Sequence, residues 1–241
     1  MQQDGIYKEP QKNIADFNFG ETVVQVFDDM VIRSVPYYLE MQRMMAEMAT
    51  SFAVPGANVY DLGCSTGTTL LGFNKVLDPN INFVGIDESA EMVKKCTGNF
   101  SKAFTGRQYK VEQCDLNDGI IINNASVVVM CLVLQFVRPL NREHLISEIN
   151  RQLNENGCLI LVEKVLGEDS MLNREFIKYY YDFKKRNNYS EMEISQKREA
   201  LENVLIPYRL SENIGMLFKC RFRFVEIFFK WYNFSGIIAV K

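Results

Sequence analysis

Several features that would narrow the class of this protein are missing from its sequence. The six cysteines stand singly with no Cys-x-x-Cys pair, which indicates neither a disulfide framework nor a zinc site, and no metal is expected. No apolar stretch approaches the ~20 residues of a membrane-spanning helix, and no basic-then-apolar leader opens the chain. These absences predict a protein of the reducing cytoplasm that does not bind membranes.

Basic residues are too few for a broad phosphate-binding surface. The chain has 27 lysines and arginines against 30 acidic residues, for a net charge of −3 and an isoelectric point near 5.4. Proteins that bind nucleic acids through phosphates carry an excess of basic side chains. We therefore expect no stable direct binding to tRNA, although a local basic patch is compatible with this composition.

Short apolar runs alternate with helical stretches through the middle of the chain, a pattern typical of a parallel sheet covered on both faces. Strands are predicted near residues 57–62, 82–87, 108–114, 125–132 and 158–164. Two further apolar runs, 222–230 and 233–240, predict an antiparallel hairpin at the sheet edge. The predicted fold class is α/β, with a doubly wound, seven-stranded, mostly parallel sheet.

The length of 241 residues suits one domain with additions to a central core. We predict four segments: an N-terminal arm and helical cap, a nucleotide-binding core, a helical insertion and a C-terminal hairpin, at 1–52, 53–164, 165–220 and 221–241. Residues 1–16 are expected to be ordered only if another segment holds them, and 17–52 to be helical. Further helices are predicted at 142–153, ended by Asn156-Gly157, and at 174–186, 190–205 and 211–219.

The run from Tyr60 to Gly67 joins a strand to a helix through small residues, an arrangement that suits an adenosine-type ligand. Gly63 is placed where the turn needs a positive φ, and Gly67 where the next helix packs closely on the sheet. The pattern is Asp-x-Gly-x-x-x-Gly, not the dinucleotide pattern. Asp61 would repel a diphosphate but suits a ligand with an amino group, such as S-adenosylmethionine (SAM).

Two more acids follow the next two predicted strands. Asp87 closes the run 83–86, where a carboxylate can accept both ribose hydroxyls. Asp115 and Leu116 close the third run, where they suit an adenine edge. With Asp61, these residues put an acid at three successive strand ends, which favours a SAM-type site.

One charged residue lies on the apolar face of a predicted insertion helix. Ile194, Arg198, Leu201 and Leu205 recur at helical spacing, so the guanidinium of Arg198 is expected to be buried and to need an anionic partner. A glutamate, a partner subunit or a ligand carboxylate would each serve. The sole histidine, His144, is expected on the surface of a different helix, so a histidine-based mechanism is not predicted.

Four motifs give the chain a family resemblance. They are FxDMxxRSVPxY at 27–38, VYDLGCS at 59–65, LQF at 134–136 and ISQKRxxLENV at 194–204. The strand pattern resembles the class I SAM-dependent methyltransferase fold. The four motifs are similar to those of the carboxy-SAM synthase family. The resemblance implies conversion of SAM and prephenate to carboxy-SAM and phenylpyruvate, supplying wobble-uridine modification of tRNA, by a cytoplasmic homodimer.

The resemblance also implies site residues. It gives the new carboxylate to Arg198, as the catalytic residue, and the SAM site to Tyr38, Gly63, Cys64, Ser65, Asp87, Asp115 and Leu116. Cys131 and Glu88 stand where that family has asparagines, so a polar contact is lost at one position and a charge is added at the other. SAM or carboxy-SAM is therefore the expected ligand.

Two other functions stay open on the sequence alone. One is an ordinary SAM-dependent methyltransferase that acts on a small molecule or tRNA. The other is a non-catalytic module that binds a SAM-type ligand. The mass of a co-purifying ligand would separate these alternatives from carboxy-SAM synthesis.

Overall fold

Seven strands form one mixed sheet in this computed structural model, which describes residues 2–241. The strands are β1 (Asn58–Leu62), β2 (Asn82–Asp87), β3 (Tyr109–Gln113), β4 (Ala125–Cys131), β5 (Leu153–Lys164), β6 (Phe224–Trp231) and β7 (Phe234–Val240). Their order is β3-β2-β1-β4-β5-β7-β6, with β1 to β5 parallel and β7 antiparallel to both of its neighbours. The predicted α/β class, the seven-stranded, mostly parallel sheet and the C-terminal hairpin are confirmed.

The central strands are apolar because helices cover both faces of the sheet. Val127, Val128, Val129 and Met130 of β4 are all fully buried. Side chains that alternate along each strand enter two separate cores, one on each side of the sheet. Chain order reverses between β1 and β4, and ligands of such sheets bind at this switch point, beyond the carboxyl ends of the strands.

Eight α-helices surround the sheet within residues 2–241. They are α1 (Glu21–Ser34), α2 (Tyr38–Phe52), α3 (Thr68–Phe73), α4 (Ala90–Ala103), α5 (Pro139–Gln152), α6 (Ser170–Arg186), α7 (Glu191–Leu201) and α8 (Leu210–Lys219). The predicted N-terminal cap is two helices, because the chain turns at Tyr37, whose φ is +54°. Among residues 2–241, no helix combines the length and the hydropathy that a bilayer-crossing segment needs.

The helix predicted at 142–153 ends within one residue of that bound, but the prediction that Asn156-Gly157 terminates it is wrong. Helix α5 stops at Gln152, and β5 begins one residue later because Leu153 already pairs with Ala125. The register between β4 and β5 then shifts, and Asn156, with φ +61°, lies in this irregularity. A Cβ on Gly157 would lie 2.9 Å from the carbonyl oxygen of Asn154, so only glycine fits there.

The N-terminal arm is held by the insertion. The backbone N–H of Gln11 donates to the Gln196 side chain at 2.6 Å, and the Gln196 amide donates to the carbonyl of Tyr7 at 2.9 Å. The Asp4 carboxylate is buried, accepts a hydrogen bond from the Tyr189 hydroxyl at 2.6 Å and lies 3.7 Å from the amine of Lys197. The arm therefore fixes α7, the helix that carries the predicted catalytic arginine.

Replacing Asp4 tests this anchor. Asp4→Ala leaves the buried amine of Lys197 without its carboxylate, so the free energy of unfolding should fall by roughly 2–4 kcal/mol in urea denaturation. Asp16→Ala, which removes an exposed acid from the same arm, is the matched control and should match the parent. Equal midpoints for the two variants would show that the arm does not stabilise the fold.

Candidate functional site

A cavity of about 370 Å³ opens at the carboxyl edge of the sheet, within the roughly 300–1,000 Å³ usual for small-molecule sites. All the predicted site residues except Asp61 line it: Tyr38, Gly63, Cys64, Ser65, Asp87, Glu88, Asp115, Leu116, Cys131 and Arg198. His144 is exposed on α5, outside the cavity lining, as expected. Ten of the eleven residues predicted for the site therefore lie together in the wall of one cavity.

The loop after β1 needs its glycines. Gly63 has φ +77°, and a Cβ there would lie 2.3 Å from a methyl carbon of Val133, so both the turn and the close packing require glycine. Gly67 has φ +88°, and a Cβ there would meet the Phe100 ring at 2.5 Å. The close approach predicted for Gly67 is therefore to α4 and not to the sheet.

Asp87 ties this loop to the next strand. Its carboxylate accepts hydrogen bonds from the backbone N–H of Ser65 at 2.9 Å and from that of Ser89 at 3.0 Å. Burial raises the pKa of Asp87, and these two hydrogen bonds oppose the rise. The carboxylate is thus oriented at the cavity wall with further lone pairs, which suits a ribose diol.

Asp61 has an unusual environment. It is 1% exposed, and neither carboxylate oxygen has a hydrogen-bond partner among residues 2–241. Burial, with the charge of Asp87 as the second cause, raises the pKa of Asp61 to about 7, and the side chain of Thr69, which lies outside normal hydrogen-bond geometry, opposes the rise. A buried acceptor without a partner suits a positively charged group, and SAM carries an ammonium, so the residues present fit this ligand.

The third acidic strand end lies at the rim of the cavity. The exposed Asp115 accepts a hydrogen bond from the backbone N–H of Asn117 at 2.8 Å, which fixes the carboxylate over a short turn. Leu116 is buried beside it. Glu88 is exposed at the same rim, and burial of its carboxylate, with Asp115 and Asp87, raises its pKa.

Tyr38 and Cys131 form the middle of the cavity. Tyr38 is buried, and burial is the main cause that raises its pKa well above the usual value, followed by Cys131 and Asp61. The thiol of Cys131 accepts a weak hydrogen bond from the Gln42 amide at 3.8 Å, and burial raises its pKa. Both side chains are therefore uncharged at neutral pH.

The burial predicted for Arg198 is wrong. Helix α7 ends at Leu201, before Leu205, and its buried residues include Glu193, Ile194, Gln196 and Lys197, whereas Arg198 is exposed. The polar side chains on the buried face of α7 form hydrogen bonds with the N-terminal arm and within the capping box at Ser190. The spacing of apolar residues therefore predicted the wrong buried face for this helix. Arg198 still lines the cavity, and no residue among 2–241 forms an ion pair or hydrogen bond with its guanidinium.

Three lysines that sequence reasoning missed line the far end of the cavity: Lys164, Lys184 and Lys197. Burial lowers the pKa of Lys164 and of Lys197 to about 8, and lowers that of Lys184 well below its usual value. Lys164 ends β5, so the strand-end rule that found the acids would have found it too. Lys184 and Lys197 lie on insertion helices and gave no comparable signal.

A second missed group holds the loop that follows β4. The buried carboxylate of Glu163 accepts hydrogen bonds from the backbone N–H groups of Val133, Leu134 and Gln135, at 3.1, 2.8 and 3.0 Å. Burial raises the pKa of Glu163 to about 8, against the effect of these bonds. Glu163, on the neighbouring strand β5, thus fixes the loop whose residue Val133 packs against Gly63.

Removing the second strand-end acid tests the nucleoside end of the cavity. Asp87→Ala should weaken SAM binding by roughly 1.5–3 kcal/mol, because charge-assisted hydrogen bonds to a ribose diol are lost. Calorimetric titration measures the change, and Glu91→Ala, which removes an exposed acid on α4, should bind SAM like the parent. Unchanged affinity in Asp87→Ala would contradict the placement of the ribose.

Known proteins with similar sequences and folds give a consistent assignment. Residues 59–157 match the methyltransferase domain family. Carboxy-S-adenosyl-L-methionine synthase from Methylococcus capsulatus is 55% identical over 100% of both chains, and that of Desulfotalea psychrophila is 42% identical over 99% of this chain and 97% of its own.

Solved structures show the same fold at low sequence identity. An O-methyltransferase family protein from Burkholderia thailandensis matches with a TM-score of 0.65 and 14% identity, over 90% of this chain and 59% of its own. Human N-acetylserotonin methyltransferase, solved in complex with SAM, matches with a TM-score of 0.59 and 16% identity, over 90% of this chain and 54% of its own. The relatives and the fold together assign a SAM-dependent transferase, and the chain belongs to the carboxy-S-adenosyl-L-methionine synthase family.

Proposed function

We propose that this protein converts SAM and prephenate to carboxy-SAM, phenylpyruvate and water. The carboxylate of prephenate moves to the SAM methyl carbon, and the hydroxide that leaves prephenate takes up the proton lost from that carbon. The carboxy-SAM then supplies wobble-uridine modification of tRNA. The observation that carries the proposal is the guanidinium of Arg198, which lines the cavity without an anionic partner among residues 2–241. A group of this kind selects a ligand with an added carboxylate. The names of the full-length relatives support the same reaction.

The charges of the two ligands explain why an arginine suits this position. SAM carries a sulfonium, an ammonium and a carboxylate, so a cation beside its methyl group would be repelled. Carboxy-SAM has one more carboxylate and is neutral overall. Arginine binds a carboxylate through two parallel hydrogen bonds, so it favours the carboxylated form.

Within this proposal each end of the cavity has its own task. SAM, when bound, supplies a methyl carbon activated by the adjacent sulfonium. Asp87 and Asp115 bind and orient the nucleoside, and Asp61, buried behind the cavity lining, favours the ammonium through the negative charge of its carboxylate. Tyr38 and Cys131 keep the middle of the cavity uncharged, which excludes a competing counterion from the sulfonium.

We extend the proposal to the whole chain. Residues from all four predicted segments line the cavity, including Phe17, Asp87, Lys184 and Phe234, which supports a single functional domain at 1–241. We further propose a cytoplasmic homodimer that does not bind tRNA stably. The net charge of −3 supports the last point.

The reaction is tested by mass spectrometry of the product. Purified protein incubated with SAM and prephenate should yield carboxy-SAM, heavier than SAM by a carboxyl increment, together with phenylpyruvate. A methyltransferase would instead release S-adenosylhomocysteine once given its acceptor. Recovery of unchanged SAM and prephenate would overturn the proposal.

The role of Arg198 is tested on a single substitution. Arg198→Lys keeps the charge but loses the paired hydrogen bonds, so carboxy-SAM affinity should fall on the order of tenfold while SAM affinity changes little. Arg186→Lys, an exposed arginine at the end of α6, is the control. Equal losses for both ligands, together with a lower melting temperature, would assign Arg198 a structural role.

A further inference from the structure

The basic end of the cavity contains more positive charge than the protein neutralises. The amines of Lys164 and Lys184 both lie against the ring of Tyr180, 5.2 and 4.7 Å from its centroid. Neither amine forms an ion pair or a hydrogen bond with any residue among 2–241. Two amines that share one aromatic ring are therefore left without a counterion.

The carboxylate nearest to this cluster, that of Asp4, is already paired with the third lysine, Lys197. Lys197 is 3.7 Å from Asp4, donates to the Ser34 hydroxyl at 3.3 Å and lies 5.8 Å from the Tyr189 ring. Asp4 is thus committed to Lys197 and to the Tyr189 hydroxyl. One carboxylate is therefore available to three amines, and the exposed Arg198 adds a fourth basic group to the cavity lining.

Uncompensated buried cations are costly, so their arrangement around a cavity points to a ligand. Lys184 is 6% exposed, and burial, with its neighbours Lys197 and Lys164, disfavours the charged form of its amine and lowers its pKa. Apolar residues at these positions would remove this cost from the empty protein. The lysines fit a role in which an anion enters the cavity and balances them.

The sheet places this cluster beside the nucleoside end and not within it. Acids lie at or next to the carboxyl ends of β1, β2 and β3, Cys131 ends β4, and Lys164 ends β5 on the other side of β4. The walls around the amines are aromatic, with Tyr180, Tyr181 and Phe234. This end therefore suits a ligand that combines carboxylates with a hydrocarbon ring.

We infer that Lys164, Lys184 and Lys197 form the binding site for the second substrate, a ring-bearing dicarboxylate, with the two unpaired amines binding its carboxylates. The inference rests on the proposed function and names the residues that recognise this substrate. A dianion supplies one negative charge for each unpaired amine. Its negative charge also places it favourably next to the sulfonium of a bound SAM.

The test replaces one lysine with an apolar residue of similar length. Lys184→Met should raise the KM for prephenate at least about tenfold, because a charge-assisted contact is lost, while the affinity for SAM measured by calorimetry stays within about threefold of the parent. Its melting temperature should equal or exceed that of the parent, since an unpaired buried charge is removed. Lys178→Met, an exposed lysine on the same helix, should change neither constant.

Two results would overturn the inference while leaving the reaction intact. One is a KM for prephenate in Lys184→Met that matches the Lys178→Met control. The other is a loss of SAM affinity as large as the change in KM, which would assign the lysines to the carboxylate of SAM itself. Lys164→Met repeats the comparison from a different element and should give the same pattern as Lys184→Met.

Binding measured without turnover distinguishes a failure of the proposed reaction from a failure of the proposed anion site. If the parent forms no carboxy-SAM, prephenate is titrated into protein loaded with S-adenosylhomocysteine. Two results would then support the anion site independently of the reaction. Lys184→Met should weaken the binding of prephenate at least about tenfold, and the parent should bind prephenate more tightly than malonate, a dicarboxylate without a ring. No binding of prephenate to the parent would overturn it.

Discussion

Opposite charges lie at opposite ends of one cavity, and the order of strands in the sheet keeps them apart. Acids lie at or next to the carboxyl ends of β1, β2 and β3 on one side, and Lys164 ends β5 on the other, with the uncharged Cys131 at the end of β4 between them. Parallel strands deliver their carboxyl ends to one edge, so a few strand-end residues determine the electrostatics of the whole site. A cationic sulfonium and an anionic acid can then be bound side by side.

The rest of the fold supplies what this charge separation needs. Glu163 fixes the loop beside Gly63, and the backbone N–H groups of Ser65 and Ser89 orient Asp87. At the basic end, the carboxylate of Asp4 reaches across from the N-terminal arm to Lys197. The arm and the helical insertion are thus joined by a buried ion pair, and α7, with Arg198, is positioned by that contact.

Much of the acidic end could be predicted from sequence because its signals are local. A strand, a glycine with positive φ and an acid at the strand end lie within a few residues of one another, as at Asp61 and Gly63. The basic end could not be predicted in the same way. Helix α7 buries Gln196 and Lys197 because partners nearly two hundred residues away satisfy them, so a count of apolar spacing selected Arg198 as the buried cation.

The same distinction explains why Asn156-Gly157 does not terminate α5. Asn156-Gly157 is a strong local signal for a helix end, but pairing of Leu153 with Ala125 starts the strand earlier, and the two residues lie in the irregularity that follows. Local chemistry identified residues that require an unusual backbone, such as Asn156 with φ +61°. Whether such residues end a helix or lie within a strand depends on the strand pairing in the sheet, which the local sequence does not show.

The central claim is that the two ends of the cavity bind a cation and a dianion next to each other, and one pair of titrations tests it most directly. Prephenate is titrated into protein loaded with sinefungin, which carries a positively charged amine in place of the sulfonium, and into protein loaded with the neutral S-adenosylhomocysteine. The account predicts tighter binding beside the cation, with a difference that shrinks as salt is added. Equal affinity in the two complexes, or weaker binding beside the cation, would contradict it.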